Sequence, residues 1–172
     1  MDIFSHGLYG GVLTGRKSRK SFWTAFIFGI SPDLFSFGIF TLSILLGFVS
    51  GPDWGSHAPD PSLIPNYVGI LYDITHSLIV FSVAFLAVWL IRGKPMMEML
   101  AWGFHVALDI FTHSFAFFPT PFLWPISNYK FDGHSWGTSE IFIPNVIALC
   151  SLYAWWWYKK SSFPNEKRNP KM

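Results

Sequence analysis

Charge is scarce in this chain. Only 13% of its 172 residues are charged, against 51% hydrophobic and 20% aromatic, well below the roughly 25% charged share of an ordinary soluble domain. Net charge is only +2, which gives a nucleic-acid partner no support. Cysteine is nearly absent as well. Cys150 alone excludes an internal disulfide, a redox pair and a cysteine-based zinc site, and within its apolar run it reads as a small packing residue. No basic region precedes the first apolar residues; "RKSRK" follows them instead, the wrong order for a cleaved signal peptide. No internal repeat of the kind that marks many transporters is visible.

Long apolar runs take the place of charge. A hydrocarbon core of about 30 Å needs roughly 20 helical residues per crossing, and four runs meet that need: 22 to 50, 67 to 91, 97 to 118 and 140 to 158. The expected fold is therefore an all-α polytopic membrane bundle of about four transmembrane helices plus an N-terminal half-helix. One integral membrane domain covers 1–160, and a polar tail covers 161–172. Pro32 is expected to kink or break the first span. The segments 51 to 66 and 119 to 139 have loop composition.

Basic residues fix the expected orientation. Arg16, Lys17, Arg19 and Lys20 precede span one, Arg92 and Lys94 join spans two and three, and Lys159, Lys160, Lys167, Arg168 and Lys171 follow span four. The other two loops hold Lys130 alone, so the positive-inside rule puts both termini in the cytoplasm. Aromatic residues 153 to 158 read as an interfacial belt.

Against that background "WGFHVALDIFTHSFAFF", 102 to 118, is anomalous. An Asp at mid-membrane costs about 2.5 to 3.5 kcal/mol on insertion scales. At 100° per residue, His105, Asp109, Thr112 and His113 share one face, which must point into the bundle. Span two repeats the theme with Asp73 and His76, span one offers Asp33 after Pro32, and the N-terminal segment offers His6. Counting about 1.5 Å per residue, Asp33, Asp109 and His105 lie roughly 16, 18 and 12 Å from the cytoplasmic side, and His76 roughly 13 Å from the outer side. These depths agree, so two carboxylates and two imidazoles can meet near mid-membrane, with Asp73 and His113 toward the outer side.

Imidazole and carboxylate donors without thiolates suit zinc, or manganese or iron. A catalytic ion of this kind brings the pKa of a bound water near 7, which suits hydrolysis. Plainer readings stand beside this one. A single membrane histidine is often a hydrogen-bonding residue, and Thr75 and Thr112 read as bonded to their own helix backbone. Asp53, His57 and Asp60 read as solvated loop, and Asp132 and His134 as turn residues able to line a site entrance.

In order along the chain come His6 followed by small residues, Pro32-Asp33, Thr75-His76-Ser77, "HVALDIFT" at 105 to 112 and "FLWPIS" at 122 to 127. This order resembles the bacterial membrane-bound metal-dependent hydrolases, a family with an SOS-regulated inner-membrane member, over about residues 1 to 131. Two positions depart: Phe35 stands where the family often has a second aspartate, and Tyr72 and Asp73 lie upstream of Thr-His-Ser where it often has His-Arg. The resemblance implies a bacterial inner-membrane metal-dependent hydrolase with His6, Asp33, His76, His105 and Asp109 as metal ligands. Asp73 and His113 are then substitute ligands or acid and base.

The leading expectation is a hydrolase that uses a metal-activated water on a lipid-like substrate, first of all at a phosphoester, with membrane lipid around it. The alternatives are a non-enzymatic membrane protein that binds or transports a metal ion or proton through the same residues, and an assembly factor whose polar face pairs with a partner helix. The sequence sets no oligomeric state.

Overall fold

The computed structural model describes residues 1–52 and 60–162. The loop residues Asp53 and His57 and the tail from 163 lie outside the described residues. All regular elements among those described are helical: α1 (Ile3–Thr14), α2 (Arg19–Leu45), α3 (Asn66–Thr75), α4 (Leu78–Arg92), α5 (Leu100–Thr112) and α6 (Ser139–Ser162), with 3-10 turns at Pro61–Leu63 and Met97–Met99.

Short polar side chains start the first two helices. The Asp2 carboxylate accepts from the Ser5 amide and caps α1, and Ser18 does the same for Ser21 at the head of α2. Pro32 does not break α2, which runs through it for 27 residues. Proline removes the amide that would serve the Phe28 carbonyl, and the Ser31 hydroxyl donates to that carbonyl instead at 3.0 Å.

Glycine lets α1 press directly on α2. A Cβ at Gly29 would stand 2.5 Å from the His6 carbonyl oxygen, and one at Gly10 would stand 2.7 Å from the Ala25 carbonyl oxygen. Only hydrogen fits at either position. This close approach sets the His6 backbone against Gly29, four residues before Asp33. On the outer flank α6 is tied to α1: Asn145 donates to the Ser5 hydroxyl at 2.8 Å and Tyr153 donates to the Leu8 carbonyl at 3.0 Å.

Burial is inverted relative to a soluble protein. His6, His76, His105 and Asp109 are 1%, 0%, 1% and 0% exposed, whereas Leu45 and Ile91 are 77% and 85% exposed. A small apolar cluster of Phe40, Ile64 and Val68 closes one end, with Phe37, Ile44 and Phe118 against it. Apolar outside and polar inside is the arrangement a lipid solvent selects.

Among the described residues two helices are long and apolar enough to cross a membrane, α2 and the Ser139–Lys159 part of α6. The number rises to three if α3 and α4, bent by 58° at their junction, count as one broken span. Four were expected: the second is met only by the bent α3–α4 pair, and the third, α5, falls short. It has only 13 residues, a rise of about 20 Å. Backbone amides of Gly133, His134 and Trp136 donate to the carbonyls of His113, Phe111 and Thr112 at 2.9 to 3.0 Å, giving the last turn the partners it would otherwise find by continuing. The Asp132 carboxylate accepts from the Phe115 amide. Asp132 and the exposed His134 thus sit in the segment that ends α5.

The basic ends of the bundle meet. Arg16, Lys17, Arg19 and Lys159 line one cavity of about 700 Å³ with Phe22 and Trp156, and Arg16 and Lys159 both stand over the Trp155 ring.

Candidate metal centre

His76 owes its place to a broken helix. Thr75 ends α3, Ser77 caps α4 by accepting from the amides of Ile79 and Val80, and His76 lies between them at the 58° bend. The loop containing Leu123, Trp124 and Pro125 holds this break: Ser77 donates to the Trp124 carbonyl and the Leu78 amide to the Phe122 carbonyl. Non-helical backbone at membrane depth is tolerated where protein supplies such partners. The Tyr72 ring stacks on His76 with centroids 3.8 Å apart.

Asp33, His76, His105 and Asp109 each offer one ligand atom within a 4.8 Å group. His105 Nε2 lies 3.1 Å from His76 Nε2 and 3.1 Å from Asp109 Oδ2. His76 Nε2 lies 3.4 Å from Asp33 Oδ1 and 3.6 Å from Asp109 Oδ2. Three members are fully enclosed, and the Asp33 side chain, 17% exposed, forms the open side.

Hydrogen bonds behind the rings decide which nitrogens carry protons. His105 Nδ1 stands 2.6 Å from the Gly29 carbonyl oxygen. A carbonyl only accepts, so Nδ1 carries the proton. His76 Nδ1 faces the Thr75 hydroxyl oxygen at 3.0 Å, and that hydroxyl gives its own proton to the Leu71 carbonyl at 2.8 Å. His76 Nδ1 is therefore the donor there too. In their neutral forms both rings present Nε2 lone pairs to each other and to two carboxylates. Four acceptors converging in a buried space need a proton or a metal ion between them, and the donor set fits a divalent metal ion. Orientation of each ligating ring through its other nitrogen is what metal-binding histidines show generally.

His6 and His113 border the same carboxylate. His6 Nε2 is 2.9 Å from Asp109 Oδ1, and the His6 ring stacks on His105 at 3.6 Å. His113 Nε2 is 3.6 Å from Asp109 Oδ1. Its Nδ1 donates to the Phe118 carbonyl at 2.9 Å, where the Tyr72 hydroxyl also donates. The Met1 ammonium contacts Asp109 Oδ1 and lies 3.1 Å from His113 Nε2.

Asp73 is placed differently. It lines a cleft of about 300 Å³ with Tyr72, Phe115, Phe118, Pro119 and Lys130. Tyr72 is the shared wall, with its ring on His76 and one side in the cleft. Thr75 and Thr112 bond to their own helix carbonyls, while Thr75 also orients His76 and Thr112 lies 3.3 Å from Asp109 Oδ1.

The supporting partners Gly29, Thr75 and Phe118 carry no metal-binding signature in sequence, and two of them act through a backbone carbonyl. No protein-family profile, curated protein or solved structure matches this chain.

Proposed function

We propose that this protein is a membrane-embedded metal-dependent hydrolase whose ion, zinc in the first instance, is held by Asp33, His76, His105 and Asp109. The observation that carries the reading is the approach of His76 Nε2 to His105 Nε2 at 3.1 Å, with both rings held as Nδ1 donors. The five motifs in family order add support. Zinc suits four nitrogen and oxygen donors without thiolate, and manganese or iron accept the same set.

When bound, such an ion supplies a nucleophilic water at neutral pH and neutralises charge on a phosphoryl oxygen. The cleft beside the site suits a lipid-like phosphoester. Phe115 and Phe118 accommodate an apolar chain, and Lys130 and Asp73 share the cleft with them. Lys130 attracts the anionic group. Hydrolysis forms a P–O bond to the water oxygen and breaks the P–O bond to the leaving alcohol, so one proton leaves the water and one reaches the leaving oxygen. Asp73 is the cleft carboxyl able to carry that proton.

The alternative is a metal or proton site without turnover, favoured by the unbroken contact series from His6 through Asp109 to His113 and Tyr72. An assembly role for the polar face of α5 has less support, because α1, α2 and the α3–α4 junction already cover that face. Screening the metal-loaded protein against phospholipids and lipid phosphates separates the first two readings. Product release that Asp73→Asn slows without changing metal content supports the hydrolase; full metal content with no turnover of any of these substrates supports the alternative.

A further inference from the structure

The two oxygens of Asp109 face different ligand sets. Oδ2 faces His76 and His105 at 3.6 and 3.1 Å. Oδ1 faces His6 and His113 at 2.9 and 3.6 Å. Besides the Thr112 hydroxyl at 3.3 Å, Oδ1 meets two imidazole nitrogens and the Met1 amine, a set richer in metal-ligating groups than a carboxylate closing one mononuclear site requires.

The His6 ring is 1% exposed; its Nε2 stands 2.9 Å from the Asp109 carboxylate, and its buried Nδ1 has no hydrogen-bond partner. A buried polar group left in this way costs about 1 to 3 kcal/mol, and such exceptions call for an explanation by an ion or water. His113 is prepared in the same sense. With Nδ1 donating to the Phe118 carbonyl, its Nε2 lone pair points to Asp109 Oδ1 and to the Met1 ammonium, 3.1 Å away. That nitrogen touches Oδ1 as well.

We propose that the chain binds two metal ions bridged by Asp109, the first on Oδ2 with Asp33, His76 and His105 and the second on Oδ1 with His6 and His113. This rests on the metal reading above and narrows its substrate class. Ions of two-metal sites stand about 3.5 to 4 Å apart, a distance one carboxylate bridges, and together they clamp the attacking and leaving oxygens of a phosphoryl group. Two divalent ions against two carboxylates leave a net positive centre in a buried space, so the substrate is an anion, a phosphoester in preference to a neutral carboxylic ester. The second ion displaces the Met1 ammonium from Oδ1 or takes its place after it loses a proton.

The test uses the full chain in detergent, stripped with chelator and reloaded with Mn(II) or Zn(II). The expected result is two ions per chain by mass spectrometry and an exchange-coupled Mn(II) electron paramagnetic resonance spectrum. His6→Gln and His113→Gln should each lower the content to one ion and give an uncoupled six-line spectrum. One ion per wild-type chain with an uncoupled spectrum overturns the second site and leaves the first standing, whereas no ion overturns both. Two ions retained by folded His6→Gln and His113→Gln would remove the assignment to Oδ1. The wild-type stoichiometry and spectrum decide the matter even if the variants do not fold.

Discussion

His76 and His105 face each other Nε2 to Nε2 at 3.1 Å, each held from behind through Nδ1, one by the Thr75 hydroxyl and the other by the Gly29 carbonyl. Two neutral imidazoles so arranged repel unless a cation or a proton lies between them. The bend at Thr75-His76-Ser77 and the close approach of α1 to Gly29 both serve to hold this pair in place.

Thr75→Val keeps the shape of the side chain and removes the oxygen that accepts from His76. Metal affinity should fall about 10 to 100-fold, the range for loss of an orienting partner. Competition with a chromophoric chelator measures it, and unchanged affinity would mean that Thr75 does not set the ring.

Gly29→Ala places a methyl 2.5 Å from the His6 carbonyl. We expect a loss of about 1 to 3 kcal/mol from overpacking, read as a lower Tm in detergent, together with reduced metal content as α1 moves off. Gly38→Ala is the control, because its nearest neighbour would be Leu34 at 3.9 Å. Equal stability of the two variants would contradict the tight contact.

Acid should empty the site. Ligation requires neutral imidazoles, so binding releases protons and falls as pH drops below the imidazole range. With His76 and His105 both required, affinity should fall up to about 100-fold per pH unit there. A binding isotherm indifferent to pH between about 7.5 and 5 would argue against histidine ligation.

Asn145→Ala removes the donor to the Ser5 hydroxyl that ties α6 to α1. A cost of about 1 kcal/mol is expected, with metal content unchanged because Asn145 touches no member of the cluster. Loss of metal in a folded Asn145 variant would show that α6 positions His6.

Much of the site can be read from residue order because helix geometry converts spacing into depth. Asp33, His76, His105 and Asp109 were expected at one level from their distances to the ends of their spans, and they stand within 4.8 Å of one another. The failures have local causes. The third span stops at Thr112 because residues 133 to 136, far along the chain, give its last carbonyls their partners. Pro32 leaves α2 whole because Ser31 takes up the freed carbonyl. Asp73, three residues from His76, shares its helical face by count. The bend after Thr75 instead leaves Asp73 in the Lys130 cleft while His76 enters the cluster.

The buried cluster of Asp33, His76, His105 and Asp109 is built to hold metal. The most direct test is metal content by mass spectrometry on detergent-purified protein, with wild type compared with His105→Ala plus Asp109→Ala at matched folding and oligomeric state. Zinc, manganese or iron at one or more ions per wild-type chain, lost in the double variant, is the predicted result. A wild-type protein that retains no metal and takes up none when zinc, manganese or iron is added back would contradict it.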